Sequence, residues 1–126
     1  TLACYWRPVE KILNKSGVIF FDENTKLITN LVEKPTKPED VPSQWVNSSV
    51  YLFDPKIIDF IPDTVDESSV VDLPRHIFLK LLEAGEKMYA YQVDDTKFYQ
   101  LGIDTPDRIQ KAEEDIQKGV FVPAHK

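Results

Sequence analysis

The sequence contains little cysteine and little glycine, and each shortage excludes a class of site. Its 126 residues include one cysteine, Cys4, and only four glycines. With no second cysteine to pair with and no metal-ligand spacing around it, Cys4 is expected to be a buried thiol in a reducing compartment. The glycines form no Gly-rich loop, so the sequence shows no cradle for a nucleoside triphosphate.

Basic charge and long apolar runs are also scarce. The chain has 15 Lys and Arg against 21 Asp and Glu, a formal net charge of −6, which argues against a duplex nucleic-acid partner. This balance still permits an anionic ligand held by a few local cations. No apolar run approaches the length of a membrane span, and no signal-peptide pattern opens the chain. We therefore expect a cytoplasmic protein with no nucleic-acid and no membrane partner.

What the sequence does contain is a series of strand patterns interspersed with helix patterns. A turn of short polar residues between two apolar runs predicts a β-hairpin, and Pro and Gly mark the ends of two amphipathic helices. The predicted strands cover 17–22, 26–34, 45–53, 88–95 and 97–103, and the predicted helices cover 54–62, 71–87 and 105–119. This order predicts an α/β domain with a mixed β-sheet and flanking helices.

Charged residues follow the second strand of the predicted hairpin. Glu33 and Lys34 end an apolar run, and Pro35 fixes the loop that comes next. Ligands of α/β sheets tend to lie at strand ends, where a carboxylate can accept from two sugar hydroxyls and an ammonium can neutralise a phosphate. An exposed Glu–Lys pair at a strand exit is the simpler interpretation of these residues taken alone.

Two further residues of the predicted sheet are candidates for ligand contact. Asn47 lies inside an apolar strand, so its amide needs partners, either a ligand hydroxyl or neighbouring backbone. Gly17 precedes the first hairpin strand, where it permits close backbone approach to a ligand or simply forms a turn.

Three carboxylates lie on either side of the segment 97–103. Asp94, Asp95 and Asp104 could contribute to a Mg²⁺ site, since Mg²⁺ usually takes one or two carboxylates plus substrate phosphate oxygens. A solvated acidic loop is the favoured interpretation for Asp94 and Asp95, whereas Asp104 could instead cap the helix that begins nearby.

In order along the chain, four segments resemble the second half of a sugar nucleotidyltransferase, the NDP-sugar pyrophosphorylase family that includes the mannose-1-phosphate guanylyltransferases. They are "SGVIFFDENTKLITNLVEKP", "WVNSSVYLFDPKIIDFIP", "DLPRHIFLKLLEAGEKMYAYQVDD" and "FYQLGIDTPDRIQKA". The resemblance extends over roughly residues 16 to 115. It implies that residues 1–126 are a single partial domain, the C-terminal, sugar-phosphate-binding half of a Rossmann-like nucleotide-diphospho-sugar transferase fold, with the nucleotide-binding half absent.

The resemblance also implies roles for individual residues. Glu33 matches the family's glutamate that binds sugar hydroxyls, and Lys34 matches the lysine that contacts the sugar phosphate and serves in catalysis. Gly17 and Asn47 match positions that contact the sugar. The implied cofactor is Mg²⁺, and the implied substrates are a sugar 1-phosphate and, through the missing half, a nucleoside triphosphate.

Three departures from the family pattern accompany the resemblance. The nucleotide half is missing, and Ser49 replaces the glycine of the family's Asn-small-Gly strand, which we expect to narrow the sugar pocket. The family's metal-binding aspartate aligns with Gly102, and Asp104 could reach the same cation only if the loop is rebuilt.

Three interpretations therefore stand. In the first, the chain is the sugar-binding part of an enzyme that makes NDP-sugars for polysaccharide biosynthesis and is inactive as this fragment. In the second, it belongs to a non-catalytic nucleotidyltransferase-like subunit with a regulatory or assembly role. In the third, it is a free-standing α/β binding module that keeps the sugar half. A second copy of the chain is a further candidate partner, since an exposed half-domain surface tends to bury itself.

Overall fold

The computed structural model describes residues 1–41, 43–58, 61, 72–94 and 96–120, which fall into two compact units, Thr1–Val93 and Asp94–Lys126. The prediction of one partial domain over residues 1–126 stays a prediction. Among the described residues, the first unit contains a five-stranded sheet and the second contains one long helix.

The sheet of the first unit is mixed, as the sequence predicted. Its strands are β1 (Leu2–Trp6), β2 (Val18–Phe21), β3 (Ile28–Val32), β4 (Trp45–Tyr51) and β5 (Ala90–Gln92), in the order β3-β2-β4-β1-β5. The β1–β5 pair is parallel and the other three pairs are antiparallel. The α/β fold class is therefore confirmed.

The predicted hairpin is confirmed, and its turn forms for the reason the sequence suggested. The Oδ1 atom of Asp22 accepts hydrogen bonds from the backbone N–H groups of Asn24 at 3.1 Å and Thr25 at 2.7 Å, and from the Thr25 hydroxyl at 2.8 Å. One short acidic side chain thus satisfies three donors of the turn.

The two edges of the sheet approach each other at one end. The Ile28 N–H donates to Met88 O at 2.8 Å, and the Ala90 N–H donates to Lys26 O at 2.8 Å. These bonds join the start of β3 to the start of β5, so the sheet curls and part of both edges is paired. Paired edges offer no template for further strand addition at that point.

A helical segment covers the concave face of this curled sheet. It runs as a π-helix over Leu73–Phe78 and continues as α2, Leu79–Glu83. Asp72 caps it, as predicted, by accepting the Arg75 N–H at 3.1 Å, and Gly85 follows its end with φ +78°. Fully buried Ile77 and Phe78 form a core with inward-facing residues of the strands.

The opposite face of the sheet carries a smaller core that the sequence patterns did not indicate. A short helix, α1 (Val9–Ile12), places Ile12 against Val18 and Val46, and the loop residue Val41 completes this cluster. The alternation of Val18 and Ile19 between the two cores shows that β2 is buried on both faces.

The second unit is built around the predicted C-terminal helix, α3 (Pro106–Gln117). Tyr99 O–H donates to buried Asp115 at 2.8 Å, and Lys111 also pairs with that carboxylate. The predicted strand over 97–103 is wrong, because this segment pairs with no strand in the described part of the chain. Just before it, the Asp94 carboxylate accepts the Thr96 N–H and pairs with Lys97, which forms a turn. Of the predicted helix 54–62, residues 54–58 and 61 are described, and Ile57, Ile58 and Ile61 among them are helical.

Across the described ranges, no helix combines the length and apolar character that a bilayer crossing requires.

Candidate active site

Three of the predicted site residues lie side by side across three strands. Val18 pairs with Val32 of β3 and with Val46 of β4, which brings the next residues, Gly17, Glu33 and Asn47, into one row. The Asn47 N–H donates to Gly17 O at 2.9 Å. All three line a narrow crevice whose other walls are aliphatic, from Val18, Leu31, Val32, Pro74 and Leu79.

Gly17 is required here for space and not for backbone conformation. A Cβ atom at this position would overlap the Oε2 atom of Glu33 and would lie 3.8 Å from Asn47 Cβ. Only glycine therefore lets the Glu33 carboxylate rest on the β2 backbone, while the close approach of a ligand to Gly17 stays a prediction.

Glu33 is a half-buried carboxylate whose pKa is raised, first by burial and then by the negative charge of Asp72. Lys34 and Arg75 act in the opposite direction through their positive charges. Within the described residues, no donor forms a hydrogen bond to this carboxylate. Four acceptor sites on a partly desolvated group are thus available to the hydroxyl groups of a ligand.

The amide of Asn47 has partners from its own strand. Its Oδ1 accepts the Ser49 N–H at 3.0 Å, and its Nδ2 donates to the Tyr51 hydroxyl at 2.8 Å. The local backbone interpretation of Asn47 is therefore correct for the oxygen, while one N–H of the amide has no partner in the described part of the chain.

Lys34 lies next to this row without lining the pocket. It is exposed, and its φ of +48° is unusual for a residue with a side chain. Buried Pro35 follows it and is held by the Asn14 N–H, which donates to Pro35 O at 2.9 Å. Strained backbone conformations persist where the surroundings impose them, and they concentrate at functional sites.

Sequence reasoning missed the first turn of the capped helix as part of this site. Pro74 and Leu79 line the pocket, and the charges of Asp72 and Arg75 reach Glu33. The sequence identified Asp72 only as a cap. Only the folded structure shows that the capped end of the helix packs next to Gly17, Glu33 and Asn47.

Ser49 does not have the consequence expected from the sequence. It is exposed and is not among the residues that line the pocket, so it does not narrow it. Instead, its φ is +62°, the left-handed region that favours glycine. The replacement of the family's glycine by Ser49 therefore introduces backbone strain next to Asn47.

The predicted metal residue, Asp104, is engaged elsewhere. Its Oδ1 pairs with Arg108 Nη1 at 2.7 Å, and this pairing is the first cause of its lowered pKa. The described residues contain no group of three or more His, Cys, Asp and Glu side chains placed to hold a metal ion. As folded, the Asp104 carboxylate would have to leave Arg108 to hold Mg²⁺. Asp94 accepts from Thr96 and Lys97 in a turn, and Asp95 lies outside the described residues.

Comparison with known proteins points to one family. A family profile described as nucleotidyl transferase matches residues 3–119. The chain is 32% identical over 85 residues to a UTP–glucose-1-phosphate uridylyltransferase of Synechocystis sp., a match that covers 68% of this chain and 20% of that protein. It is 30% identical over 105 residues to a mannose-1-phosphate guanylyltransferase of Mycobacterium tuberculosis, covering 82% of this chain and 26% of that protein.

A glucose-1-phosphate adenylyltransferase of Trichlorobacter lovleyi is 27% identical over 99 residues, which cover 75% of this chain and 24% of that protein. The matches thus span between 20% and 26% of the length of these three curated relatives.

Proposed function

Because this chain belongs to the nucleotidyl transferase family, we propose that it is the sugar-phosphate-binding portion of a sugar-1-phosphate nucleotidyltransferase. The complete enzyme transfers a nucleotidyl group from a nucleoside triphosphate to a sugar 1-phosphate, releasing pyrophosphate and an NDP-sugar. The activities of the three relatives named above support this class of reaction. The short share of those relatives that is matched supports the view that the nucleotide site lies outside this chain.

The observation that carries the proposal is the Glu33 carboxylate. It rests on Gly17, lines the same pocket as Asn47, and has no donor among the described residues. A partly buried acceptor next to a donor is suited to the vicinal hydroxyls of a sugar, which both donate and accept.

Lys34 and Arg75 supply positive charge at the same edge of the site. In the proposed reaction the sugar phosphate oxygen attacks the α-phosphorus in line, and the bond to pyrophosphate breaks. The reaction requires little covalent chemistry from the protein, whose main contributions are to position the substrates and to stabilise their charge. Glu33 orients the sugar, and the Lys34 ammonium stabilises charge on its phosphate.

The direct test is binding of glucose 1-phosphate and mannose 1-phosphate to the 126-residue chain by isothermal titration calorimetry. Lys34→Ala is expected to weaken binding of the sugar 1-phosphates by about tenfold, the effect of one charge-assisted contact, and to leave any binding of the unphosphorylated sugars unchanged. Lys37→Ala is the matched control, an exposed lysine of the same loop. No binding of either sugar phosphate would contradict the proposal.

A second measurement separates the enzyme from a non-catalytic regulatory or assembly subunit, a function favoured by the engagement of Asp104 with Arg108. The protein is extended upstream by about 100 residues, the size of a small domain, and assayed for pyrophosphate release with Mg²⁺ and a panel of nucleoside triphosphates. Turnover that collapses in Glu33→Ala and persists in Glu39→Ala supports the enzyme. A folded protein that binds sugar phosphate without turnover supports the subunit.

A further inference from the structure

The orientation of the Asn47 amide is determined by its neighbours without ambiguity. A backbone N–H can only donate, so the atom 3.0 Å from the Ser49 nitrogen must be the amide oxygen. The amide nitrogen is then the atom 2.8 Å from the Tyr51 hydroxyl, to which it donates. One amide hydrogen is used by Tyr51, the other has no partner among the described residues, and Asn47 is one of the residues that line the pocket.

Tyr51 is held in place by aromatic packing. Its ring meets the fully buried ring of Phe78 edge-on, at 5.1 Å between centroids and an interplanar angle of 82°, and it lies 5.4 Å from the ring of Phe53. Such contacts restrict the ring more than a single hydrogen bond would, so its hydroxyl is a fixed acceptor for Asn47.

We propose that Tyr51 is a positioning residue that holds the Asn47 amide so that it offers a single N–H donor to the sugar, opposite the acceptor Glu33. The inference rests on the proposed function of the pocket and deepens it. It predicts that the site distinguishes sugars by one hydroxyl that accepts from Asn47 and others that donate to Glu33. A site built to pair with hydroxyls discriminates strongly against ligands that lack them.

Tyr51→Phe tests this with little change in packing, because only the hydroxyl is removed. The Kd of the chain for glucose 1-phosphate or mannose 1-phosphate is expected to rise about fivefold, the equivalent of one ordinary hydrogen bond. Tyr91→Phe is the matched control, because it removes the hydroxyl of an exposed tyrosine that does not line the pocket. It is expected to bind within twofold of wild type.

A double-mutant cycle with Asn47→Ala separates positioning from a general structural role. If Tyr51 acts through Asn47, Tyr51→Phe has no further effect on Kd in the Asn47→Ala background. In ¹⁵N spectra, Tyr51→Phe should also shift the side-chain NH₂ signals of Asn47, which Asn47→Ala identifies by their loss.

The outcomes are distinct for the two proposals. A wild-type chain that binds neither sugar phosphate overturns the proposed function and this inference together. A wild-type chain that binds, with a Tyr51→Phe variant that binds equally well or weakens binding equally in both backgrounds, overturns the inference alone.

Discussion

Gly17→Ala separates the binding role of Gly17 from its effect on stability. Gly17 does not have a positive φ, so alanine can adopt its backbone conformation. At such positions the substitution stabilises a protein by about 0.4–1 kcal/mol, because the unfolded chain loses freedom. The added Cβ overlaps only Oε2 of Glu33, the end of a flexible side chain, which can rotate away at small cost.

The same rotation removes the carboxylate from the pocket. A hydrogen bond to a charged group contributes about 1.5–3 kcal/mol, so the loss of one such bond corresponds to a rise in Kd of about tenfold to a hundredfold. We therefore expect Gly17→Ala to unfold at the same or a higher urea concentration than wild type while it binds sugar 1-phosphates much more weakly.

Gly85→Ala is the control with the opposite expectation. Gly85 has φ +78° and no atom within 4 Å of an added Cβ, so alanine there costs about 1 kcal/mol of stability and leaves the pocket intact. Urea unfolding and calorimetric titration of both variants give the comparison. Wild-type affinity in Gly17→Ala would refute the reasoning, because the position of Glu33 would then not matter.

Three further predictions concern stability. Ser49→Gly should raise the free energy of unfolding, measured in urea, by about 0.5–1 kcal/mol, because glycine relieves the positive φ at this position. Ser16→Gly is the control at a position without a positive φ and should lower the free energy of unfolding. Equal effects of the two substitutions would contradict the proposed backbone strain at Ser49. Burial raises the pKa of Glu33 in the folded protein. The stability that the Glu33 side chain contributes is therefore present at pH values below its ordinary pKa of 4.5, and it is lost as the pH rises through the pKa of the folded state. Glu33→Gln should therefore be more stable than wild type at pH 7 and no more stable below pH 4.5, and a constant difference would contradict this. The pKa of Asp115 is lowered, first by its hydrogen bond with Lys111. The stability that Asp115 contributes is therefore present at pH values above its ordinary pKa of 3.8 and is lost as the pH falls. In Lys111→Met, Tm should fall less steeply between pH 5 and pH 3 than in wild type. An unchanged slope would show that the Lys111–Asp115 pair does not contribute to the pH dependence of stability.

Oligomeric state, cellular compartment and the Mg²⁺ requirement of this chain stay predictions. The nucleotidyl transferase family to which the chain belongs is in general Mg²⁺-dependent. The pairing of Asp104 with Arg108 and the glycine at position 102 mean that this dependence needs its own test on the extended protein.

The local sequence determined the features whose causes are local. The hairpin turn forms because the short side chain of Asp22 reaches three donors within three residues, and the capped helix begins because Asp72 precedes Pro74. The helices end at Gly85 and Gly119, both at positive φ. The residues Gly17, Glu33 and Asn47 were identified from the family pattern, and the strand register brings them together.

Only the tertiary structure decided how those residues act. Residues 16 and 30 positions apart in the sequence became neighbours when β2 paired with β3 and β4, and the packing of a distant helix brought Arg75 and Asp72 to Glu33. The orientation of the Asn47 amide depends on the Tyr51 hydroxyl, which is fixed by a ring from that helix. A sequence pattern specifies which groups are available, while burial, hydrogen-bond direction and neighbouring charge depend on contacts between distant segments.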